Sequence, residues 1–320
     1  MVASHSTCLV TGGAGFIGRS VVAQLLQAEP DRLVVVLDAM TYAAHPAALA
    51  ALGGLGRLEV VEGDIADTQL VGRVMNRFRP GLVINLAAES HVDRSLQDCS
   101  PFLRSNVVGT QVLLKAALAT RVQRFVQVST DEVYGDHTTG NFVETDALQP
   151  SNPYAASKAA AENFLLSYAR TYGISFKIVR PSNNFGVRQY PEKLIPRSII
   201  RVLNGRKAQL HGSGKYYRDW LHVDDSVEAI KCVLFSGEVN EIYNISADVE
   251  LTNGEVMHKL MEIMELDYEQ HVEHVDNRPG QDVRYGIDDS KTRALGWKPV
   301  VDFEEGLAEI IEQTKSDPHW

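Results

Sequence analysis

Tyr154 and Lys158 stand four residues apart in Asn152-Pro-Tyr-Ala-Ala-Ser-Lys158, a spacing that puts both side chains on one face of a helix. An ammonium beside a phenol stabilises the phenolate, so Lys158 is expected to lower the Tyr154 pKa and make it a base towards a hydroxyl group. Asn152 suits the N-cap of that helix and Pro153 its first helical position. A second set, Ser129-Thr-Asp-Glu132, places a hydroxyl and two adjacent carboxyls at the end of an apolar run. Packing has little use for Asp131 and Glu132 there. Acid–base chemistry does, if the two carboxyls hold different protonation states.

A third set is Thr11-Gly-Gly-Ala-Gly-Phe-Ile-Gly18, where Gly12, Gly15 and Gly18 repeat every third residue after an apolar run and before a helical stretch. In that context the first glycine allows a tight turn and the second lets a pyrophosphate approach the backbone. The third lets helix and strand pack closely, and the helix N-terminus supplies free N–H groups and a positive dipole end. Asp38 lies 20 residues after Gly18. A carboxylate there accepts hydrogen bonds from a ribose and repels a 2′-phosphate, so the expected cofactor is NAD rather than NADP. Gly63-Asp64-Ile65 and Asn85-Leu86-Ala87-Ala88 also follow apolar runs, and are expected to add adenine and nicotinamide-ribose contacts on the same sheet edge.

These sets need elements to hold them. Val-, Ile- and Leu-rich runs at Cys8–Thr11, Leu33–Asp38, Leu58–Glu62, Leu82–Asn85, Arg124–Ser129 and Phe176–Arg180 read as strands buried on both faces. Between them Ile17–Gln27, Thr68–Arg79, Pro101–Ala119 and Tyr154–Tyr172 read as helices. The alternation implies an α/β fold, a Rossmann-type doubly wound parallel sheet. Beyond Arg180 the pattern loosens, with helices expected over Lys193–Asn204 and Asp224–Phe235 and a strand over Glu241–Ile245. Residues 251–287 read as a helix followed by an extended stretch. The expected division is a cofactor domain over 1–180, with returns near 223–245, and a smaller, interleaved substrate lobe over 181–320.

Composition narrows the function classes. A net charge of −10 argues against a non-specific nucleic-acid surface. No apolar run approaches the roughly 20 residues of a membrane span. Met1 to Thr7 lacks the layout of a signal peptide, so a cytoplasmic setting is expected. Cys8, Cys99 and Cys232 are widely spaced and odd in number, which points to reduced, mostly buried thiols rather than a disulfide framework or a zinc site. His271 and His274 lack further ligands, so no metal is expected, and His222 reads as a structural histidine.

Together these motifs resemble the dTDP-glucose 4,6-dehydratases of the extended short-chain dehydrogenase/reductase superfamily. The similarity runs through TGGAGFIG from Thr11, DAMTYA from Asp38, GDI from Gly63 and LAAESHVDRS from Leu86. It continues in STDEVYG from Ser129, PYAASKAAAE from Pro153 and NNFGVRQYPEKLIP from Asn183. RDWLHVDD from Arg218 and NRPGQDVRY from Asn277 complete it. The resemblance implies that Tyr154 takes the C4 hydroxyl proton as hydride passes from C4 to NAD, with Thr130 orienting the sugar. Glu132 then removes the C5 proton, Asp131 protonates the departing C6 hydroxyl, and hydride returns to C6. Oxidation must come first, because only the 4-ketone delocalises charge from C5.

For the cofactor the resemblance implies Gly12, Gly15, Phe16, Ile17, Gly18, Asp38, Thr41, Asp64, Ile65, Leu86, Ala87, Ala88, Asn106, Ser129, Tyr154 and Lys158. For a nucleotide-diphosphate hexose it implies Ser90, Asn183, Asn184, Lys193, Leu194, Arg218, Asn253, Arg278 and Gln281, with Glu89 and His91 near the reacting sugar. It also implies a homodimer paired through the helices around Pro101–Ala119 and Tyr154–Tyr172. A UDP-hexose dehydratase, a UDP-sugar 4-epimerase or decarboxylase, and a non-catalytic NAD-binding sensor remain alternatives at this point.

Overall fold

The aliphatic runs of the first half become the strands of one sheet. A computed structural model of the protein describes residues 7–277, 279–280 and 282–317. Its first strands are β1 (Thr7–Thr11), β2 (Leu33–Asp38), β3 (Arg57–Glu62), β4 (Leu82–Asn85), β5 (Arg124–Val128) and β6 (Phe176–Pro181). The later strands are β7 (Asn183–Phe185), β8 (Ala208–His211), β9 (Tyr217–His222), β10 (Glu241–Ile245), β11 (Glu250–Thr252) and β12 (Val272–Val275). Seven of them form a sheet in the order β10-β6-β5-β4-β1-β2-β3, paired in parallel throughout. The order reverses between β1 and β4, which opens a crevice at the carboxyl edge of the sheet.

The helices of the first half are α1 (Phe16–Ala28), α2 (Pro46–Ala50), α3 (Thr68–Phe78), α4 (Val92–Gln97), α5 (Ser100–Phe102), α6 (Thr110–Thr120) and α7 (Pro153–Tyr172). Those that follow are α8 (Leu194–Leu203), α9 (Val223–Ser236), α10 (Asn253–Ile263), α11 (Tyr268–His271), α12 (Ser290–Arg293) and α13 (Phe303–Ser316). Alternate strand residues feed two apolar layers. Val10, Val34, Val36 and Ile84 pack with Val21, Val22 and Leu25 of α1 and Ile230 and Val233 of α9. Leu9, Val35, Leu37 and Val83 pack with residues of α3, α6 and α7 on the opposite face. A third cluster joins Ile195 and Ile199 of α8, Met257 and Leu260 of α10 and Leu307 and Ile310 of α13.

Local chemistry sets the element ends. Asn152 accepts a hydrogen bond from the Ala155 N–H at the start of α7, and Gly173, at φ +74°, closes it. The expected continuous helix over Pro101–Ala119 is instead interrupted by a π-helical stretch, Leu103–Gly109. An extra residue enters the turn there, and hydrophobic periodicity does not register it. Strand β3 departs from expectation as well. It is the edge of the sheet and Val60 is 44% exposed, so its aliphatic run does not mean burial on both faces. Helices α4 and α13 and the short strands β7 to β9 were not among the expected elements, although Phe303, Leu307, Ile310 and Ile311 give α13 a helical apolar period.

Of the three thiols expected to be mostly buried, Cys8 is buried, Cys232 half-buried and Cys99 exposed. Cys99 sits in the short connection between α4 and α5, where nothing packs over it. His271 and His274 are held by the carbonyls of Asp267 and Gly212, and no metal-binding cluster occurs among the described residues. No described helix is long and apolar enough to cross a membrane.

Two glycines show how the sheet edge is built. A Cβ on Gly12, which has φ +70°, would lie 2.7 Å from the Ala87 nitrogen, and a Cβ on Gly18 would lie 2.0 Å from the Gly12 carbonyl oxygen. Gly72, inside α3, has nothing within 4 Å. Gly18→Ala should therefore destabilise the fold by about 1–3 kcal/mol through backbone displacement. Gly72→Ala should stabilise it by about 0.5–1 kcal/mol. Thermal unfolding of both variants checks this, and the same sign in both would contradict the packing described.

Candidate active site

The carboxyl edge carries two adjoining clefts. The first lies over the ends of β1, β2 and β4 and is lined by Gly12, Gly15, Asp38, Thr41, Gly63, Asp64, Ile65, Leu86, Ala87, Ala88 and Glu89. Nine of the residues expected to touch NAD are in this set. The start of α1 is suited to an anion, because Gly15 at its N-cap offers no side chain to bond the first N–H groups. The Asp38 carboxyl is pinned by the Ala14 and Met40 N–H groups, at 2.9 Å each. Burial raises its pKa, and the two backbone bonds oppose that shift. Each oxygen keeps room for a ribose hydroxyl donor. The residues present therefore fit NAD.

Phe16, Ile17, Gly18, Asn106, Ser129, Tyr154 and Lys158 do not line this cleft. Gly18 supports the glycine turn from behind. Asn106, within the π-helical stretch, is buried and occupied: its amide accepts from the Glu89 N–H and donates to the Glu89 carbonyl and the Ser157 hydroxyl. It thus ties the loop between the two clefts to α7. Ser129 is buried with its hydroxyl oxygen unpartnered among the described atoms.

The second cleft takes one wall from each lobe. Its lining includes His91, Glu132, Asn152, Asn183, Asn184, Glu192, Lys193, Leu194, Arg218, Asn253 and Tyr285. Every residue expected to hold the nucleotide sugar is in it except three. Ser90 lies just outside, where its carbonyl accepts from the Lys193 ammonium at 2.9 Å. Arg278 and Gln281 lie outside the described residues. Arg218 is buried, donates to the Asp282 carbonyl and stacks over the Tyr285 ring at 4.5 Å. His222 is buried and accepts from the Asp224 N–H at the start of α9, a structural placement.

Glu132 lines this cleft and Asp131 lies buried beside it; the two open a single 3₁₀ turn, Asp131–Tyr134, capped by the Thr130 hydroxyl. One Asp131 oxygen accepts from Thr130 at 3.0 Å; the other is buried without a partner among the described atoms. Burial first, and the neighbouring Glu132 charge second, raise the Asp131 pKa well above the usual carboxyl range. Glu132 is placed differently. One of its oxygens accepts from the Asn152 amide at 3.1 Å and faces the Tyr285 hydroxyl at 3.4 Å. The two carboxyls thus sit in unlike environments, Asp131 with its pKa pushed up by burial and Glu132 held by an amide hydrogen bond.

The Tyr154–Lys158 pair corrects the sequence expectation. Both are buried on one face of α7, but the Lys158 ammonium donates to the Val128 carbonyl at 2.7 Å. Burial lowers its pKa to about 8, with Glu162 opposing. The Tyr154 phenol is raised, not lowered, by burial and then by the Glu132 charge, with a Thr130 hydrogen bond opposing. The ammonium is committed elsewhere, so it does not offset those two effects.

Sequence reasoning missed three residues. Asn152 caps α7 and also holds Glu132, and only its capping role is visible from spacing. Tyr285 reaches Glu132 across 153 residues of sequence. Glu192 accepts from the Arg94 guanidinium at 3.2 Å and faces the Tyr42 hydroxyl, which donates to Glu89. Arg94 lies over the Tyr42 ring at 3.8 Å. A side chain from the cofactor cleft's loop thereby meets Glu89 of the first cleft and Glu192 of the second.

Comparison with known proteins places this geometry. The family model described as GDP-mannose 4,6 dehydratase matches residues 9–310. The low-salt glycan biosynthesis protein Agl12 of Haloferax volcanii is 46% identical over 97% of this chain and 98% of its own. A dTDP-glucose 4,6-dehydratase of Streptomyces griseus is 45% identical over 98% of this chain and 95% of its own. The dTDP-glucose 4,6-dehydratase DesIV of Streptomyces venezuelae, solved with NAD bound, superposes with a TM-score of 0.93 at 43% identity over 98% of each chain. A UDP-glucose 4-epimerase of Thermotoga maritima superposes at 0.89 with 30% identity, over 97% of this chain and 99% of its own. The chain belongs to the sugar-nucleotide 4,6-dehydratases of the extended short-chain dehydrogenase/reductase family.

Proposed function

We infer that the protein is an NAD-dependent hydro-lyase that converts dTDP-glucose to dTDP-4-keto-6-deoxyglucose. The observation that carries this reading is the unlike pair at the second cleft. Asp131 is buried with its pKa raised, while Glu132 beside it is held by the Asn152 amide. An elimination needs a proton donor and a proton acceptor side by side. A 4-epimerase on the same scaffold has no use for the buried acid.

Bound NAD takes up a hydride and gives it back within one turnover, so the protein's own residues handle only protons and position. Tyr154 is the group for the C4 hydroxyl proton, with Thr130 between it and Asp131. Glu132 faces the second cleft and removes the C5 proton. Asp131, whose pKa burial raises, delivers a proton to the leaving C6 hydroxyl. Arg218, Lys193, Asn183 and Asn184 hold the diphosphate and nucleoside, the guanidinium fork of Arg218 being suited to phosphate. The direct test is product analysis after incubation with dTDP-glucose: a 4-keto-6-deoxy product is expected. An intact hexose changed only in its C4 configuration would instead establish the epimerase reading.

The raised Asp131 pKa has a thermodynamic counterpart. A carboxyl whose folded pKa lies above its unfolded value, about 3.9, stabilises the fold fully below that value. The contribution is lost as pH rises through the folded pKa, at up to about 1.4 kcal/mol per pH unit. Asn at this position does not titrate. Asp131→Asn should therefore match the parent's melting temperature near pH 4, exceed it as the pH is raised from there through the folded pKa, and abolish dehydration. A stability difference that stays flat as the pH is raised would refute the raised pKa.

The reading extends to a homodimer in the cytoplasm. Support for the dimer comes from apolar side chains left exposed along α7 and the π-helical stretch, Phe164 at 38%, Leu103 at 52% and Val108 at 46%. Sedimentation at twice the 35.3 kDa chain mass is the expected result, and a monomer at micromolar concentration would oppose it.

A further inference from the structure

Two separate elements carry the reacting groups, and something must fix one against the other. Tyr154 and Lys158 ride on α7, whereas Asp131 and Glu132 ride on a single 3₁₀ turn. Such a turn has few internal hydrogen bonds and holds its shape poorly unaided. Thr130 anchors its start. Its end is Tyr134, and that side chain is among the most enclosed in the molecule, at 1% exposure.

We propose that Arg180 is a positioning residue that clamps the acid–base turn to the catalytic helix through Tyr134 on one side and Glu162 on the other. Glu162 lies on α7 one turn beyond Lys158 and two beyond Tyr154, on the same stripe of the helix. Arg180, from β6, donates to it through Nε at 3.1 Å and through Nη2 at 2.6 Å. The remaining Nη1 donates to the Tyr134 hydroxyl at 2.5 Å, and that hydroxyl donates to the Asn244 side-chain oxygen Oδ1 at 2.8 Å. The guanidinium also lies over the Tyr134 ring at 4.7 Å. Each planar group therefore has its orientation set by the next.

Stability alone does not account for this arrangement. Arg180 is 2% exposed and Glu162 is fully buried, so both charges have left water. Well-packed apolar residues in place of such a pair are often neutral or stabilising. What the charged pair adds is direction: a bidentate fork locks angles as well as distance. The acid–base pair needs that, since misplacement by about 1 Å can cost about 10²-fold in rate.

The proposal rests on the dehydratase reading and is tested with two variants of the NAD-loaded enzyme. Tyr134→Phe removes one hydroxyl and keeps the ring, which stacks on Phe142 at 4.9 Å. A Glu162→Met/Arg180→Met double variant replaces the buried pair by apolar volume. Both should keep the parent's melting temperature to within a few degrees, or exceed it, and keep KM for dTDP-glucose within about twofold. Their kcat should fall about tenfold or more, and reduced cofactor should build up on mixing with substrate because elimination lags behind oxidation. Unchanged kcat in folded variants would overturn the proposal, as would a loss of kcat without reduced cofactor accumulating. If the parent itself gave no 4-keto-6-deoxy product, the functional reading would fall and crystal structures would still decide the clamp. The turn at 131–134 should shift against α7 in Tyr134→Phe. Superposition on the parent within coordinate error would rule the clamp out.

Discussion

The site depends on a short buried hydrogen-bond chain across the carboxyl ends of three strands. Thr11 of β1 donates to the Asn85 carbonyl oxygen at 2.6 Å, and the Asn85 amide donates to Gln127 of β5 and Thr110 of α6. All four side chains are at most 1% exposed, so each bond is made in a medium where leaving it unmade would cost about 1–3 kcal/mol. The chain fixes β1, β4 and β5 to one another where the sheet order reverses. The glycine turn leaves from β1, the Leu86–Ala88 wall from β4 and the Ser129–Glu132 segment from β5. Cofactor and acid–base groups therefore share a single datum.

On that frame, environment and not residue type assigns the chemistry. Asp131 and Glu132 are neighbours of the same kind. One faces burial with a single Thr130 hydroxyl as partner; the other has an amide from Asn152 and a phenol from Tyr285. The fold thereby gives two adjacent carboxyls unlike surroundings. The cost falls locally, on a 3₁₀ turn whose far end is anchored by Tyr134.

Much of this was legible in the sequence, because the strand–helix alternation, the glycine spacing and the Tyr154–Lys158 interval depend on local periods. Nine of the residues named for the cofactor line the first cleft, and six of the nine named for the sugar nucleotide line the second, the latter through the family resemblance rather than through local periods. What stayed hidden depends on tertiary distance or on electrostatics that spacing does not encode. Tyr285 meets Glu132 only after the chain has crossed into the second lobe and returned. The Lys158 ammonium was read as a partner for Tyr154, but Val128 offers a buried carbonyl that claims it. The edge position of β3 was hidden because an aliphatic run reads alike at the rim and in the middle of a sheet.

The π-helical stretch Leu103–Gly109 sets a limit of another kind. It presents Asn106 to Glu89 and Ser157, while Thr110, just beyond it, receives the Asn85 amide. An α-helix turns by about 100° per residue, so losing one residue here would heal the helix and swing one of those two contacts away from its partner. This segment is accordingly constrained in length more tightly than in composition. Lineages that share the site cannot gain or lose a residue between Phe102 and Thr110 without disconnecting the loop at Glu89 from the strands beneath it.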